Sequence, residues 1–237
     1  MRMMLPPKIF DAYAGVNMRL FLIRHGQTPA NVLGQLDTAH PGPGLTDLGA
    51  RQASVIPDAL RAEPIEAIFA STLVRTQLTA SPLAADRGLQ IQVADGLHEI
   101  EAGALEGLSD RASVRRYLET IFAWGAGDLR TTMPGAFDGH AFFRRFDADI
   151  ETATASVEAA VVFSHGAAIR VWTAARTVNM APSFAVKNDL DNTGVVELTG
   201  SQQAGWTLVS WAGMPVGGGQ LTDHSSDDPI TDPGDHL

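Results

Sequence analysis

The chain has 237 residues, 45% hydrophobic and 19% charged, with a formal net charge of −10. This composition is ordinary for a globular protein, and the length admits one large domain or two small ones. No basic stripe points to nucleic acid, no apolar run approaches membrane-spanning length, and the lack of cysteine excludes disulfides and thiol catalysis. Residues 1–17 carry Pro6, Pro7, Lys8 and Asp11, which interrupt any signal-peptide core, so a cytoplasmic protein is expected.

Taken in order, the first element is the apolar run Leu20 to Ile23, read as a buried strand that ends at Ile23. It switches without a spacer to Arg24-His25-Gly26. A buried strand is a poor place for an unpartnered charge, so the pair is expected at the carboxyl edge of a sheet, where open α/β folds bind ligands. Residues 29–44 are rich in proline and glycine and read as loop. Thr46 is the expected N-cap of a helix that Pro57 kinks or shortens. Residues 65–70 form a second strand ending at Ser71. A helix follows from about Leu73 to Asp86, interrupted at Pro82 and closed by Gly88.

Ile91 to Val93 is a short third strand, followed by a loop with Glu99, Glu101, Gly103 and Gly107. Residues 111–124 have helical spacing, 125–139 read as loop, and a second long helix runs from about His140 to Ala155. Ala160 to Phe163 is the clearest remaining strand; it ends in Ser164-His165-Gly166 and leads into another helix. Residues 194–199 and 206–211 are closing strands. Strands alternating with helices predict a three-layer α/β/α sandwich with a mostly parallel central sheet. The expected organisation is an N-terminal extension at 1–17, one domain at 18–212, and an acidic, disordered Gly/Asp-rich tail at 213–237.

Two strand ends carry His-Gly, at His25 and His165. Adjacent parallel strands would bring both imidazoles to one pocket, and glycine after each histidine would let backbone and ligand approach closely. Arg24 and Arg75 would form a two-guanidinium clamp suited to phosphate oxygens. Glu99, in its glycine-rich loop, is placed to act as a general acid. The assembled chemistry is phosphoryl transfer through a histidine nitrogen, with no metal needed. A metal site is disfavoured because no His-x-x-x-His or His-x-Asp spacing occurs and two arginines would repel a cation. His98 reads as a rim residue, and Arg115-Arg116 and Arg144-Arg145 as solvated helix faces. His40, His140, His224 and His236 receive no role.

These residues resemble the histidine phosphatase superfamily, the phosphoglycerate-mutase-like proteins. Arg24-His25-Gly26-Gln27-Thr28 followed by Asn31 is similar to its signature, with Gln27 where glutamate is frequent. Leu45-Thr46 with Gly49 and Gln52-Ala53, Ser71 to Arg75 with Thr79-Ala80, Leu97 to Ile100 with Gly103 and Gly107, Ser164-His165-Gly166 and Asn192-Thr193 match further motifs in order. The resemblance spans about residues 18–212. It implies a phosphoglycerate-mutase-like fold with His25 as the phosphorylated nucleophile and Glu99 as proton donor. Arg24, Arg75 and His165 would complete the phosphate pocket, and Asn31 and, more weakly, Thr28 would contact substrate.

The implied activity is metal- and cofactor-independent hydrolysis of a small phosphorylated metabolite, and a homodimer is left open. A phosphoglycerate mutase-type phosphotransferase shares every one of these residues. It is the second reading, because the segment after Gly107 lacks a long basic insert. A non-catalytic phospho-ligand-binding module is the third. Residues 109–140, with Tyr117, Phe122, Trp124, Met133 and Phe137, are expected to set specificity.

Overall fold

A computed structural model of the chain describes residues 18–223; the extension at 1–17 and the tail from 224 to 237 lie outside the described residues. Six strands form one sheet: β1 (Arg19–Arg24), β2 (Ala67–Ser71), β3 (Ile91–Ala94), β4 (Ala159–Ser164), β5 (Val195–Ser201) and β6 (Gly205–Ala212). Their spatial order is β3-β2-β4-β1-β5-β6. The pairs β3–β2, β2–β4 and β4–β1 are parallel, whereas β1–β5 and β5–β6 are antiparallel.

Eight α-helices accompany the sheet among the described residues: α1 (Pro29–Val32), α2 (Asp47–Ser54), α3 (Ile56–Ala59), α4 (Val74–Arg87), α5 (Arg111–Gly125), α6 (Gly139–Thr154), α7 (Gly166–Arg176) and α8 (Pro182–Lys187). Alternation along the strands divides the core into two layers. Leu20, Leu22, Phe69, Ala160 and Val162 face one layer with Leu118, Phe146 and Trp172 of α5, α6 and α7. Phe21, Ile23, Ile68, Ala70, Val161 and Phe163 face the other, with Ile56 of α3 and Ala80 and Leu83 of α4. Each fully buried aliphatic side chain contributes roughly 1.5–3 kcal/mol of transfer free energy. The central strands β1, β2 and β4 read as apolar runs because both faces are covered.

Several boundaries differ from the sequence expectation. β1 continues through Arg24, whose backbone N–H donates to Gly194 O at 3.2 Å, so the charged pair begins inside the strand. Residues 29–32 form a short helix where loop was expected. Thr28 caps it, and its capping box with Asn31 outweighs the local proline content. Pro57 does split the helix, separating α2 from α3. Pro82 does not interrupt α4: Leu78, whose carbonyl the missing N–H would have served, is 43% exposed and lies on the solvent side. α8 carries no periodicity strong enough to have been read.

The segment 213–223 was expected to begin a disordered tail. Instead it contains a 3-10 turn at Gly219–Leu221, and Leu221 is buried. Its carbonyl accepts from Gln52 Nε2 at 2.8 Å, and Asp223 accepts from Gln27 Nε2. Gln27 also accepts from the Thr46 hydroxyl. The amide at position 27 therefore donates on one side and accepts on the other; a glutamate there could not donate to Asp223.

Candidate active site

The parallel pairing of β1 with β4 sets Arg24 level with Ser164, and the N–H of His25 donates to Ser164 O at 3.1 Å. The next residue on each strand is a histidine, and the two rings lie 5.2 Å apart, edge to face. β2 flanks β4 on the other side and ends at Ser71, whose hydroxyl lies 2.7 Å from His165 Nε2. Three strand ends therefore converge, and the first turn of α4 adds Arg75.

His25 is buried, and its Nδ1 sits 2.8 Å from Gly26 O. A carbonyl can only accept, so Nδ1 carries the proton and the neutral ring keeps its lone pair on Nε2. Burial first, then the charges of Arg75 and Arg24, hold the His25 pKa well below 6.5. His165 is fully buried, and burial and Arg75 likewise push its pKa well below 6.5. Its Nδ1 is buried without a hydrogen-bond partner. Asn192 Nδ2 donates to His25 O at 3.0 Å, and Thr193, at φ +61°, donates its N–H to Arg24 O at 3.1 Å. A β-branched residue in the left-handed region is strained, so the chain holds this strand end at a cost.

Gly26 serves packing rather than ligand approach. A Cβ there would lie 2.6 Å from Gly49 O, and one on Gly49 would lie 2.2 Å from Gln27 O. The loop after His25 is pressed backbone to backbone against α2, and Gly49 is as necessary as Gly26.

Both guanidinium groups are buried. Arg24 Nη1 donates to Leu190 O at 2.8 Å. Arg75 Nη1 donates to Asp37 Oδ2 at 3.0 Å and Nη2 to Asp37 O at 2.8 Å. Glu99 is buried at the N-terminus of α7. Its Oε1 accepts from the N–H groups of Ile100 and Ala168 at 2.8 Å each, and Oε2 accepts from Ala167 N–H at 3.1 Å. Those donors favour the carboxylate, but burial outweighs them and raises its pKa above 4.5.

The loop that carries Glu99 is clamped from several sides. Arg145 Nη1 donates to Gly96 O at 2.6 Å and to His98 O at 2.7 Å, and Nη2 donates to Glu99 O at 2.7 Å. Ser164 Oγ donates to Leu97 O, and Tyr117 Oη to Ile100 O. Arg145, expected on a solvated face, is instead the loop's main anchor. Arg145→Ala is expected to lower kcat about 10- to 100-fold through misplacement of Glu99. Lysine should not restore it, because it lacks the planar fork; steady-state kinetics on both variants checks this. His98 is no rim residue either: it is buried, with Nε2 2.8 Å from Glu101 Oε1.

An open cleft is lined by Arg24, His25, Thr28, Asn31, Arg75 and Glu99, together with Ala30, Gln35, Leu36, Asp37, Thr38 and Tyr117. His165 touches His25 but does not line the open cleft. Thr28 is spent largely as the α1 cap, and the Asn31 carbonyl oxygen accepts from Thr28 and Asn192; a ligand contact by Asn31 would run through Nδ2. Of the aromatic and apolar residues expected to set specificity, only Tyr117 reaches the cleft. Trp124 and Met133 are core, Phe122 packs on the Arg170 guanidinium, and Phe137 is 67% exposed. Asp37, Gln35 and Thr38 were not singled out from sequence: they lie in a proline- and glycine-bounded loop with no periodic signal. Among the described residues, no group of three or more His, Asp or Glu is arranged to hold a metal ion, and no helix is long and apolar enough to cross a membrane.

The family model of the histidine phosphatase superfamily (branch 1) matches residues 20–213. The PE-PGRS family protein PE_PGRS11 of Mycobacterium tuberculosis is 40% identical over 87% of this chain and 38% of its own length. The adenosylcobalamin/alpha-ribazole phosphatase of Escherichia coli is 33% identical over 56% of this chain and 64% of its own. The chain thus spans less than two thirds of each of these curated relatives. Among solved structures, mycobacterial glucosyl-3-phosphoglycerate phosphatase in complex with VO3 superposes with a TM-score of 0.70 at 24% identity. That match covers 83% of this chain and all of the other, and shows a shared fold.

Proposed function

Because the chain belongs to the histidine phosphatase superfamily, we propose that it is a metal-independent phosphomonoester hydrolase working through a phosphohistidine at His25. The observation that carries this reading is the His25 ring itself. Its Nδ1 is committed to Gly26 O, and its Nε2 lone pair is kept unprotonated beside two buried guanidinium groups.

His25 Nε2 attacks phosphorus and the P–O ester bond breaks. Arg24 and Arg75 hold the equatorial oxygens, and His165 packs edge to face against the attacking ring from behind. Glu99, protonated, gives its proton to the leaving alkoxide. Its carboxylate then takes a proton from water, which attacks phosphorus as the P–N bond breaks and frees His25. Water is the acceptor in this reading because, among the described residues, no Lys or Arg beyond Arg24 and Arg75 lines the cleft to hold a second anionic substrate. The small phosphorylated substrates named for the family's other members enter only as analogues.

Phosphate release from an alkyl phosphomonoester such as glycerol 3-phosphate, whose alkoxide needs the proton, followed against pH with and without EDTA, tests this. Catalysis needs His25 neutral and Glu99 protonated. kcat/KM should therefore rise as His25 loses its proton, well below pH 6.5, and fall as Glu99 loses its own, above pH 4.5. The expected profile is a bell that EDTA leaves unchanged. Activity abolished by EDTA and restored by a divalent cation would overturn the proposal.

A further inference from the structure

Asp37 lines the cleft, yet the reaction as derived gives it no step. Its carboxylate and its backbone carbonyl both accept from Arg75, at 3.0 and 2.8 Å. Within this ion pair the Arg75 side chain is 2% exposed and that of Asp37 22%, so the carboxylate is the solvent-facing partner. The loop that carries it is fixed. Glu106 accepts from the N–H groups of Thr38 and Ala39, at 2.8 and 3.0 Å, and from the Thr38 hydroxyl. Asp37 is therefore held at the cleft rather than swung into it.

The charges in the cleft decide what can sit beside it. Arg24 and Arg75 supply the positive charge, and a phosphomonoester dianion uses both. A second anionic group on the alcohol part of the substrate would meet Asp37 with no further cation among the described lining residues to offset it. Like charges brought close together repel, and such repulsion discriminates between substrates. Apart from Glu99 and His25 the rest of the lining is uncharged: Thr28, Asn31, Gln35, Thr38 and Tyr117 are polar and Ala30 and Leu36 apolar, which suits a carbon frame bearing hydroxyl groups.

We propose that Asp37 selects substrate charge, and that the substrate class is a phosphomonoester whose alcohol part bears hydroxyl groups and no second anionic group. This rests on the phosphomonoesterase reading. The test is kcat/KM of the full chain for glycerol 3-phosphate against 3-phosphoglycerate, which differ as hydroxymethyl against carboxylate. Wild type is expected to favour glycerol 3-phosphate by about tenfold or more. Asp37→Asn should narrow that ratio by improving turnover of 3-phosphoglycerate. Each ratio is taken within one protein, so a reduced folded fraction cancels. A wild-type ratio of one or below, or an unchanged ratio in Asp37→Asn, overturns the inference while leaving the hydrolase reading intact. Failure of wild type to hydrolyse either ester or p-nitrophenyl phosphate overturns that reading, and this inference with it.

Discussion

Replacing His25 with alanine is expected to lower kcat/KM for phosphate-ester hydrolysis by roughly 10⁴- to 10⁶-fold, the scale on which loss of a covalent nucleophile registers. No neighbour can take over. His165 is the nearest imidazole, but its Nε2 is 2.7 Å from Ser71 Oγ and its ring is fully buried behind the cleft. Glu99 is held by three backbone N–H groups, and both arginines lack a lone pair to attack with. The fold should survive. The backbone of residue 25 is held by Ser164 O and by Asn192, contacts that alanine keeps. Steady-state kinetics beside a thermal melt separates the two effects, and a variant that melts like wild type yet retains activity within tenfold of it would place the nucleophile elsewhere.

Glu99→Gln should cost about 10²- to 10⁴-fold, the range for loss of a general acid, and the cost should depend on the leaving group. Alkyl phosphates release a strongly basic alkoxide and need the proton; p-nitrophenyl phosphate releases a stable phenolate and needs it far less. The substitution carries a structural penalty as well. All three groups facing the Glu99 oxygens are donors, so the new amide must point an N–H at one of them. A buried clash of that kind destabilises by about 1–3 kcal/mol. A melt measures that part, and a series of esters with graded leaving groups measures the chemistry. An equal loss across the series would mean that Glu99 serves only to cap α7 and position the loop.

The juxtaposition of His25 and His165 was legible because both sit at strand ends. An apolar run that stops at Arg-His-Gly has few physical interpretations, and a second run stopping at His-Gly becomes its neighbour if the strands are parallel; β1 and β4 do pair that way. Thr46, Gly88 and Pro57 act as cap, stop and break as their chemistry demands. What could not be read depends on packing. Arg144 and Arg145 are consecutive on α6 and so point about 100° apart. Only the position of the Gly96–Glu99 segment selects Arg145 as the anchor. The same holds for residues 109–140, where Tyr117 and Trp124 look alike in composition but one reaches the cleft and the other the core. Asp37 lies among prolines and glycines that identify a loop but not what the loop faces. The first part of the tail, rich in glycine, reads as unstructured, yet Leu221 and Val216 find apolar cover.

The central claim is a covalent phosphoryl group on His25, and intact-protein mass spectrometry of acid-free, rapidly quenched turnover measures it directly. Wild type is expected to gain the mass of one phosphoryl group, lost on acid treatment as a phosphoramidate is, and mapped to the peptide containing His25. His25→Ala should gain none. Turnover without any adduct, or an adduct that persists in His25→Ala, would contradict the account.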